Sequence, residues 1–409
     1  MGLKMELGSG VTAFIPTFNR SVFLKEALSS LLRQTRRPDE IIVIDDGSTD
    51  DTAQVVASFG PQVAYVRKLN GGKSSALNLG LQRSSHELIY ILDDDDIAAD
   101  DAIERLAGAL QNNPGYGFVY GGYDAFTVSD SGTISIETRT PQPPDDEELP
   151  IVLMHRNLIL QPSMLVRKSC YEHVGPFNEE FVRSQDYEML LRLVRVFKGK
   201  RLDGLIFHQR QHTGIRGSAA MPIGVQNRTR TWGDFNAKIF SSIYASYSLN
   251  EYLPHPATTL SNEDHITALL QRCVIVGRKR LWHFASNDLR EACAVASQFG
   301  IHQLTPGQLV ILQRMFDPWS TGLHDLAAGG DFRSTLLAIS DPALSRQIRA
   351  ALSQPLRDQI RDALRNRAAR TSLYLLACLL CISPSGGMGI NHLGNLALKM
   401  INRARLYRV

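Results

Sequence analysis

The segment Ile89-Tyr-Ile-Leu-Asp-Asp-Asp-Asp96 sets an apolar run directly against four consecutive carboxylates. Ile89 to Leu92 is short, bounded and apolar, the pattern of a strand buried on both faces. Four acids at its end repel one another unless a cation or a ring of donors lies among them. Oxygen-rich clusters of this kind suit hard divalent ions such as Mg²⁺ or Mn²⁺, which share their remaining positions with phosphate oxygens. An acidic run by itself is more often a solvated turn, so its neighbours decide its meaning.

Working outward, residues 11–15, 41–44, 63–66 and 118–120 are further short apolar runs that predict strands. Residues 22–34, 52–58, 73–82 and 102–110 carry helical spacing between them. Strands separated by helices, with both strand faces apolar, predict a largely parallel sheet covered by helices. In such sheets ligands gather beyond the C-terminal strand ends. Pro16-Thr-Phe-Asn19, Asp45 to Asp50 and Asp93 to Asp96 all fall there. Three polar clusters on one edge make a site. Residues 158–167 and 202–209 predict two more strands, with a helix over 187–197 between them. Residues 127–148, polar and proline-containing, predict a mobile surface loop. Beyond about residue 220 the pattern turns helical, with a hairpin over 266–280 and 287–299 and further helix within 344–370.

The 409 residues suffice for two or more domains with substantial cores, and 44% hydrophobic with 21% charged residues is an ordinary soluble composition. A net charge of +3 gives no reason to expect a nucleic-acid partner. Met1 to Gly10 has neither a basic nor an apolar stretch of the kind that opens a signal peptide. Five scattered cysteines predict no disulfide framework, which suits a reducing, cytoplasmic compartment. Cys378 and Cys381 sit in an apolar run without a second pair, so they read as core or membrane-facing residues rather than metal ligands. That run, residues 373–382, is about half the length of a bilayer-spanning helix. From Ala363 onward there is no acid, while Arg365, Arg367, Arg370, Lys399, Arg403, Arg405 and Arg408 are basic. With Leu396, Met400 and Ile401 among them, this tail fits either an anionic membrane surface, the inner face of the membrane, or a packing face for its own domain or a partner.

Six segments in order resemble the family-2 glycosyltransferases of GT-A fold. They are Phe14-Ile-Pro-Thr-Phe-Asn-Arg20, Glu40-Ile-Ile-Val-Ile-Asp-Asp-Gly-Ser-Thr-Asp50, Asn70-Gly-Gly-Lys-Ser-Ser-Ala-Leu-Asn78, Ile91-Leu-Asp-Asp-Asp-Asp96, Val174-Gly-Pro-Phe-Asn178 and Ser184-Gln-Asp-Tyr-Glu-Met-Leu-Leu-Arg192. The resemblance covers about residues 10 to 217. It implies an α/β, Rossmann-like GT-A catalytic domain over residues 1–220, followed by a mainly α-helical domain over 221–409.

The resemblance also implies roles. Pro16, Thr17 and Asn19 would line the wall for the nucleotide base and ribose. An aspartate at Asp45 or Asp46 would accept a hydrogen bond from the base; a carboxylate facing the uracil N–H favours a UDP-sugar. Gly72 permits close backbone approach and Lys73 offers a point charge to a diphosphate. Asn78 supports the donor site in the family. The D-x-D motif falls on Asp93-Asp94-Asp95: Asp93 and Asp94 on the donor side, and Asp95 as ligand to a divalent Mn²⁺ or Mg²⁺, joined by His212. The family more often has a small residue at position 94. Asp186 is the expected general base, kept ionised by its place near a helix N-terminus. Gln185 stands where the family commonly has glutamate.

The expected activity is inverting, metal-dependent transfer of a sugar to a saccharide or lipid-linked acceptor in cell-surface polysaccharide synthesis. Three rivals are a processive polysaccharide synthase, a non-catalytic sugar-nucleotide-binding scaffold and a nucleotidyltransferase, the last of which would carry a Gly-rich loop where this chain has Pro16-Thr-Phe-Asn-Arg20. Residues 226–232 lack the Gln-x-x-Arg-Trp signature of the first, and a binder has no use for Asp186.

Overall fold

The computed structural model describes residues 10–129, 134–139, 148–211, 216–218, 221–223, 228–256, 259–318, 320, 322 and 330–382. His212 and the amphipathic tail 396–404 lie outside these. The chain forms two compact units, Met1–Arg228 and Thr229–Val409.

The first unit is built on β1 (Val11–Thr17), whose seven residues are all buried. It pairs in parallel with β2 (Glu40–Asp45) and β4 (Leu88–Ile91), and β2 pairs in parallel with β3 (Ala64–Arg67). The helices α1 (Ser21–Leu32), α2 (Thr52–Ala57) and α3 (Lys73–Arg83) connect them. This is the alternation the apolar runs predict. Leu24, Leu28 and Leu31 of α1 pack into a core with Val11, Ala13, Ile15 and Tyr90. On α3, Gly80 lets the helix approach β1 closely: a Cβ there would stand 2.5 Å from the Phe14 ring.

Beyond β4 the sheet departs from the parallel expectation. After β5 (Ile97–Ala98) and α4 (Ala102–Gln111) come β6 (Phe118–Val128), β7 (Ile134–Arg139), α5 (Leu149–His155), β8 (Met164–Arg167), α6 (Lys168–Val174), α7 (Gln185–Val196) and β9 (Gly199–Arg210). The strand order is β3-β2-β1-β4-β8-β6-β9-β5, with β7 on β6. Strand β8 runs antiparallel to both β4 and β6, β5 runs antiparallel to β9, and β6 and β9 are parallel. Met164, Leu165 and Val166 are buried whichever way the strand points, so an apolar run carries no sign of its direction. Within the expected loop, the described residues 134–139 form β7, which pairs antiparallel with β6. Its Ile134 and Ile136 stay more than half exposed, so the segment has no buried face to announce a strand. Two short strands, β10 (Arg216–Ser218) and β11 (Met221–Ile223), pair separately.

The second unit is helical: α8 (Arg228–Ser246), α9 (Asn262–Arg278), α10 (Trp282–Gln298), α11 (Pro306–Gln313), α12 (Gly330–Leu337), α13 (Pro342–Arg365) and α14 (Ala369–Ile382). The expected hairpin is α9 with α10. Cys378, Tyr374 and Leu375 of α14 join Leu269, Leu289, Phe316 and Leu352 in its core. Asp288, fully buried, is neutralised by Arg272 at 2.7 Å and accepts from the Tyr244 hydroxyl at 3.0 Å. Among the described residues no helix is long and apolar enough to cross a membrane.

Lys279, at the end of α9, is 6% exposed and stands 4.6 Å from the Phe240 ring centroid. Burial pulls its ammonium down to about 7, and Arg278 adds repulsion against partial help from Asp317. Unfolded, the group keeps the usual 10.5. Between these values the unfolded chain binds the extra proton, so the burial cost is full below the folded pKa and fades as pH rises toward 10.5. Lys279→Met therefore stabilises the fold by on the order of a few kcal/mol at pH 7. Chemical denaturation from pH 7 to 10 should show that gain shrinking; a gain constant across the range would contradict it.

Candidate active site

Three loops at the C-terminal ends of β1, β2 and β4 are stitched together by side chains the sequence placed there. Asn19 sits at φ 52°, the left-handed region that asparagine tolerates, at an exposed tip. Its backbone N–H donates to Ser48 Oγ at 2.9 Å, and its Oδ1 accepts from Thr49 N at 2.7 Å. Pro16 is buried within β1 opposite Ile44, and Thr17 donates its hydroxyl to Asp94 at 2.8 Å. These two residues hold the strand end, while Asn19 reaches the surface.

Asp45 and Asp46 are both buried, and each is occupied by donors from this chain. Asp45 accepts from Ser48 N at 2.7 Å and from the Tyr65 hydroxyl, with Arg67 at 3.7 Å. Burial and Asp45 push the Tyr65 phenol up to about 12, so it remains a donor to that carboxylate. Asp46 receives Lys68 Nζ at 2.7 Å, Gly71 N at 2.9 Å, Gly72 N at 2.7 Å and Asn70 Nδ2 at 3.1 Å. It anchors the loop ahead of α3, in which Gly72 takes φ 88°, a conformation that favours glycine. Lys73 follows as the first residue of the helix.

Lys73 Nζ donates to Asp93 Oδ1 at 2.6 Å. Burial pulls its ammonium down, but Asp93, Asp186 and Asp95 outweigh that and hold it above the usual lysine value. Asp94 turns away from this group toward Thr17 and Arg20, whose NH1 lies 2.8 Å from Asp94 and 2.9 Å from Asp95. Carboxylate oxygens of Asp93, Asp95 and Asp96 converge instead, all within 4.8 Å of one another. Burial, then Asp95 and Asp93, raises the Asp96 carboxyl well above the ordinary carboxylate range. Crowded oxygens that resist sharing their charge are what a hard divalent cation relieves, so this donor set fits Mn²⁺ or Mg²⁺.

Asp186 enters from the other side, in the first turn of α7. Burial raises its carboxyl above the usual value, opposed by Lys73 and by the N–H groups of Tyr187 and Asp186, with Asp93 adding to the rise. The helix N-terminus thus acts in the expected direction, but desolvation wins. The placement of α7 is built residue by residue. Asn78 on α3 donates to Phe177 O at 3.0 Å and to Glu179 Oε1 at 3.0 Å, and accepts from Phe177 N at 2.8 Å. Arg192 on α7 bonds the carbonyls of Val174, Gly175 and Pro176 at 2.7 to 3.1 Å. Asn78 and Arg192 hold the same loop, which fixes Asp186 relative to Lys73. Asn78 faces that loop and not the open edge.

Sequence reasoning overlooked two cations here, Arg20 and Lys68. Arg20 stood inside a quoted motif beside an acid surplus, which is signal enough to look for a counter-charge. His208 bonds Asp124 at 2.7 Å. His212 lies outside the described residues.

Residues 12–174 match the family model described as Glycosyl transferase family 2. A Rickettsia felis protein described as an uncharacterized glycosyltransferase is 28% identical over 257 residues, 62% of this chain and 42% of its own. A Rickettsia conorii protein of the same description is 29% identical over 259 residues, with the same two coverages. This chain therefore spans less than half the length of these relatives. Among solved structures, residues 1–349 of S. aureus TarS share 15% identity at a TM-score of 0.44, over 87% of this chain and 91% of that one. The family match includes every strand-edge cluster described above and ends before Asp186.

Proposed function

Because this chain belongs to glycosyl transferase family 2, we propose that it moves a sugar from a nucleotide-sugar donor, a UDP-sugar, to a hydroxyl of a saccharide or glycoconjugate acceptor. Its first unit is the GT-A domain and its second the helical domain, divided near residue 220. The observation that carries this reading is the meeting of Asp186 with Lys73 and Asp93 at the sheet edge. One carboxylate with a raised proton affinity faces a fixed ammonium and a cation-binding set. A protein that only bound nucleotide sugars would have no use for the first.

Each side chain then has a task. Asn19 lines the ribose side, and Lys73 meets the diphosphate as a point charge. Asp93, Asp95 and Asp96 would hold Mn²⁺ or Mg²⁺, which when bound neutralises charge on the departing nucleoside diphosphate. Asp186 takes the proton of the acceptor hydroxyl as that oxygen attacks the anomeric carbon. A single displacement with one base inverts the centre. The raised affinity of Asp186 suits a general base, whose efficiency grows as its pKa approaches the working pH.

The experiment is a screen for nucleoside-diphosphate release from UDP-, GDP- and dTDP-sugars with Mn²⁺ or Mg²⁺. Metal-dependent release from a UDP-sugar supports the reading; neither release nor binding of any donor would sink it. We assign the acceptor as lipid-linked, with the basic segment 383–409 on an anionic membrane surface. Truncation belongs after Ile382, because Tyr374, Leu375 and Cys378 are core residues. Binding of the truncated chain to phosphatidylglycerol vesicles at full strength would reject the tail as the anchor.

A further inference from the structure

Arg210, the last residue of β9, reaches across the first unit to the acidic turn. Its side chain is 7% exposed. Its backbone N–H donates to Asp96 Oδ1 at 2.9 Å and its Nε to the Asp95 carbonyl at 3.1 Å. Its NH2 donates to Glu26 Oε2 of α1 at 2.7 Å. The guanidinium carbon lies 5.0 Å from the Phe23 ring centroid and 4.6 Å from that of Phe126. One side chain thus ties β9, α1 and β6 to the turn that carries Asp93 to Asp96.

We propose that the Arg210 side chain is the positioning residue of the cation site, setting the orientation of the Asp95–Asp96 peptide through the Asp95 carbonyl. The inference rests on the reading of Asp95 and Asp96 as cation ligands. Its physical basis is specific. Like charges at Asp93, Asp95 and Asp96 push the turn open, and from within it the Asp96 N–H to Asp93 carbonyl bond at 3.1 Å opposes them. Arg210 resists from outside with two directed bonds, without placing its guanidinium on any of the three converging carboxylates. It restrains the turn through the Asp95 carbonyl and its own backbone N–H, and adds no further side-chain cation to carboxylates that already meet Lys73 and Arg20. A lysine offers no planar fork to serve Asp95 and Glu26 together while lying against aromatic rings.

The test uses the full chain with Mn²⁺ alone, followed by electron paramagnetic resonance titration, so that no turnover is involved. Groups that orient metal ligands typically change affinity 10- to 100-fold when removed. Arg210→Lys and Arg210→Met are both expected to weaken Mn²⁺ binding by on the order of tenfold or more. Glu26→Gln, at the half-exposed end of the bridge, is expected to weaken it less and in the same direction. If the Arg210 variants fail to fold, Glu26→Gln and Phe126→Leu carry the test. Wild-type affinity in folded Arg210→Lys, or in both Glu26→Gln and Phe126→Leu, overturns the proposal. A wild-type chain that binds no Mn²⁺ ends both this inference and the reading beneath it.

Discussion

Replacing Asp186 by asparagine lowers kcat by about a thousandfold, because general-base catalysis contributes roughly 10²–10⁴ and the amide cannot accept the proton. The substitution keeps the shape and the place in the first turn of α7, so donor affinity is expected to stay within about threefold of wild type. Loss of turnover with retained binding separates a base from a binding residue. The pH profile adds a second reading. Burial raises the Asp186 carboxyl, so the base is protonated and inactive at a higher pH than an ordinary aspartate would be. Activity falls as pH falls through that raised value. Lys73→Ala removes the main opposing charge and moves the acidic limb upward. Steady-state kinetics with donor-binding calorimetry on the same preparations check this. An Asp186→Asn variant within tenfold of wild-type kcat would remove Asp186 from the chemistry.

Asp95→Ala is the second large effect. Asp95 is one of three acids whose oxygens converge within 4.8 Å, and the turn leaves no neighbour to replace it, because Asp94 is held by Thr17 and Arg20. Removing a single group that stabilises developing charge commonly costs 10²–10³ in rate. About that loss is expected at saturating Mn²⁺, together with weaker binding of the ion. Asp94→Asn is the control. It keeps the contact with Thr17 and leaves Arg20 paired with Asp95, so its expected cost in turnover is less than about tenfold. Equal losses in the two variants would mean that the convergence of Asp93, Asp95 and Asp96 is not what the reaction uses.

How far the sequence reaches can be judged from particular residues. Strands β1, β2 and β4 were legible because a run buried on both faces leaves a continuous apolar signature, and the clusters at their ends were legible as a single edge. The direction of β8 was not, since Met164 to Val166 bury the same side chains in either sense. The acid run was legible as an acidic cluster, but which acids converge depends on the turn that aims Asp94 at Arg20. Arg210 was invisible for a different reason: Glu26 and Asp95 lie 184 and 115 residues away along the chain. Asp186 shows a contest of magnitudes. The sequence supplies the helix N-terminus, while the opposing desolvation exists only once the chain is folded.

The most direct test of the account is proton NMR of a single reaction: purified chain, a UDP-sugar with an α-anomeric linkage, and Mn²⁺. The account predicts loss of the α-anomeric donor signal and first appearance of the β-anomer of the released or transferred sugar, dependent on the ion and abolished in Asp186→Asn. First appearance of the α-anomer, or an intact donor beside a protein that binds it, would contradict an inverting transferase with Asp186 as its base.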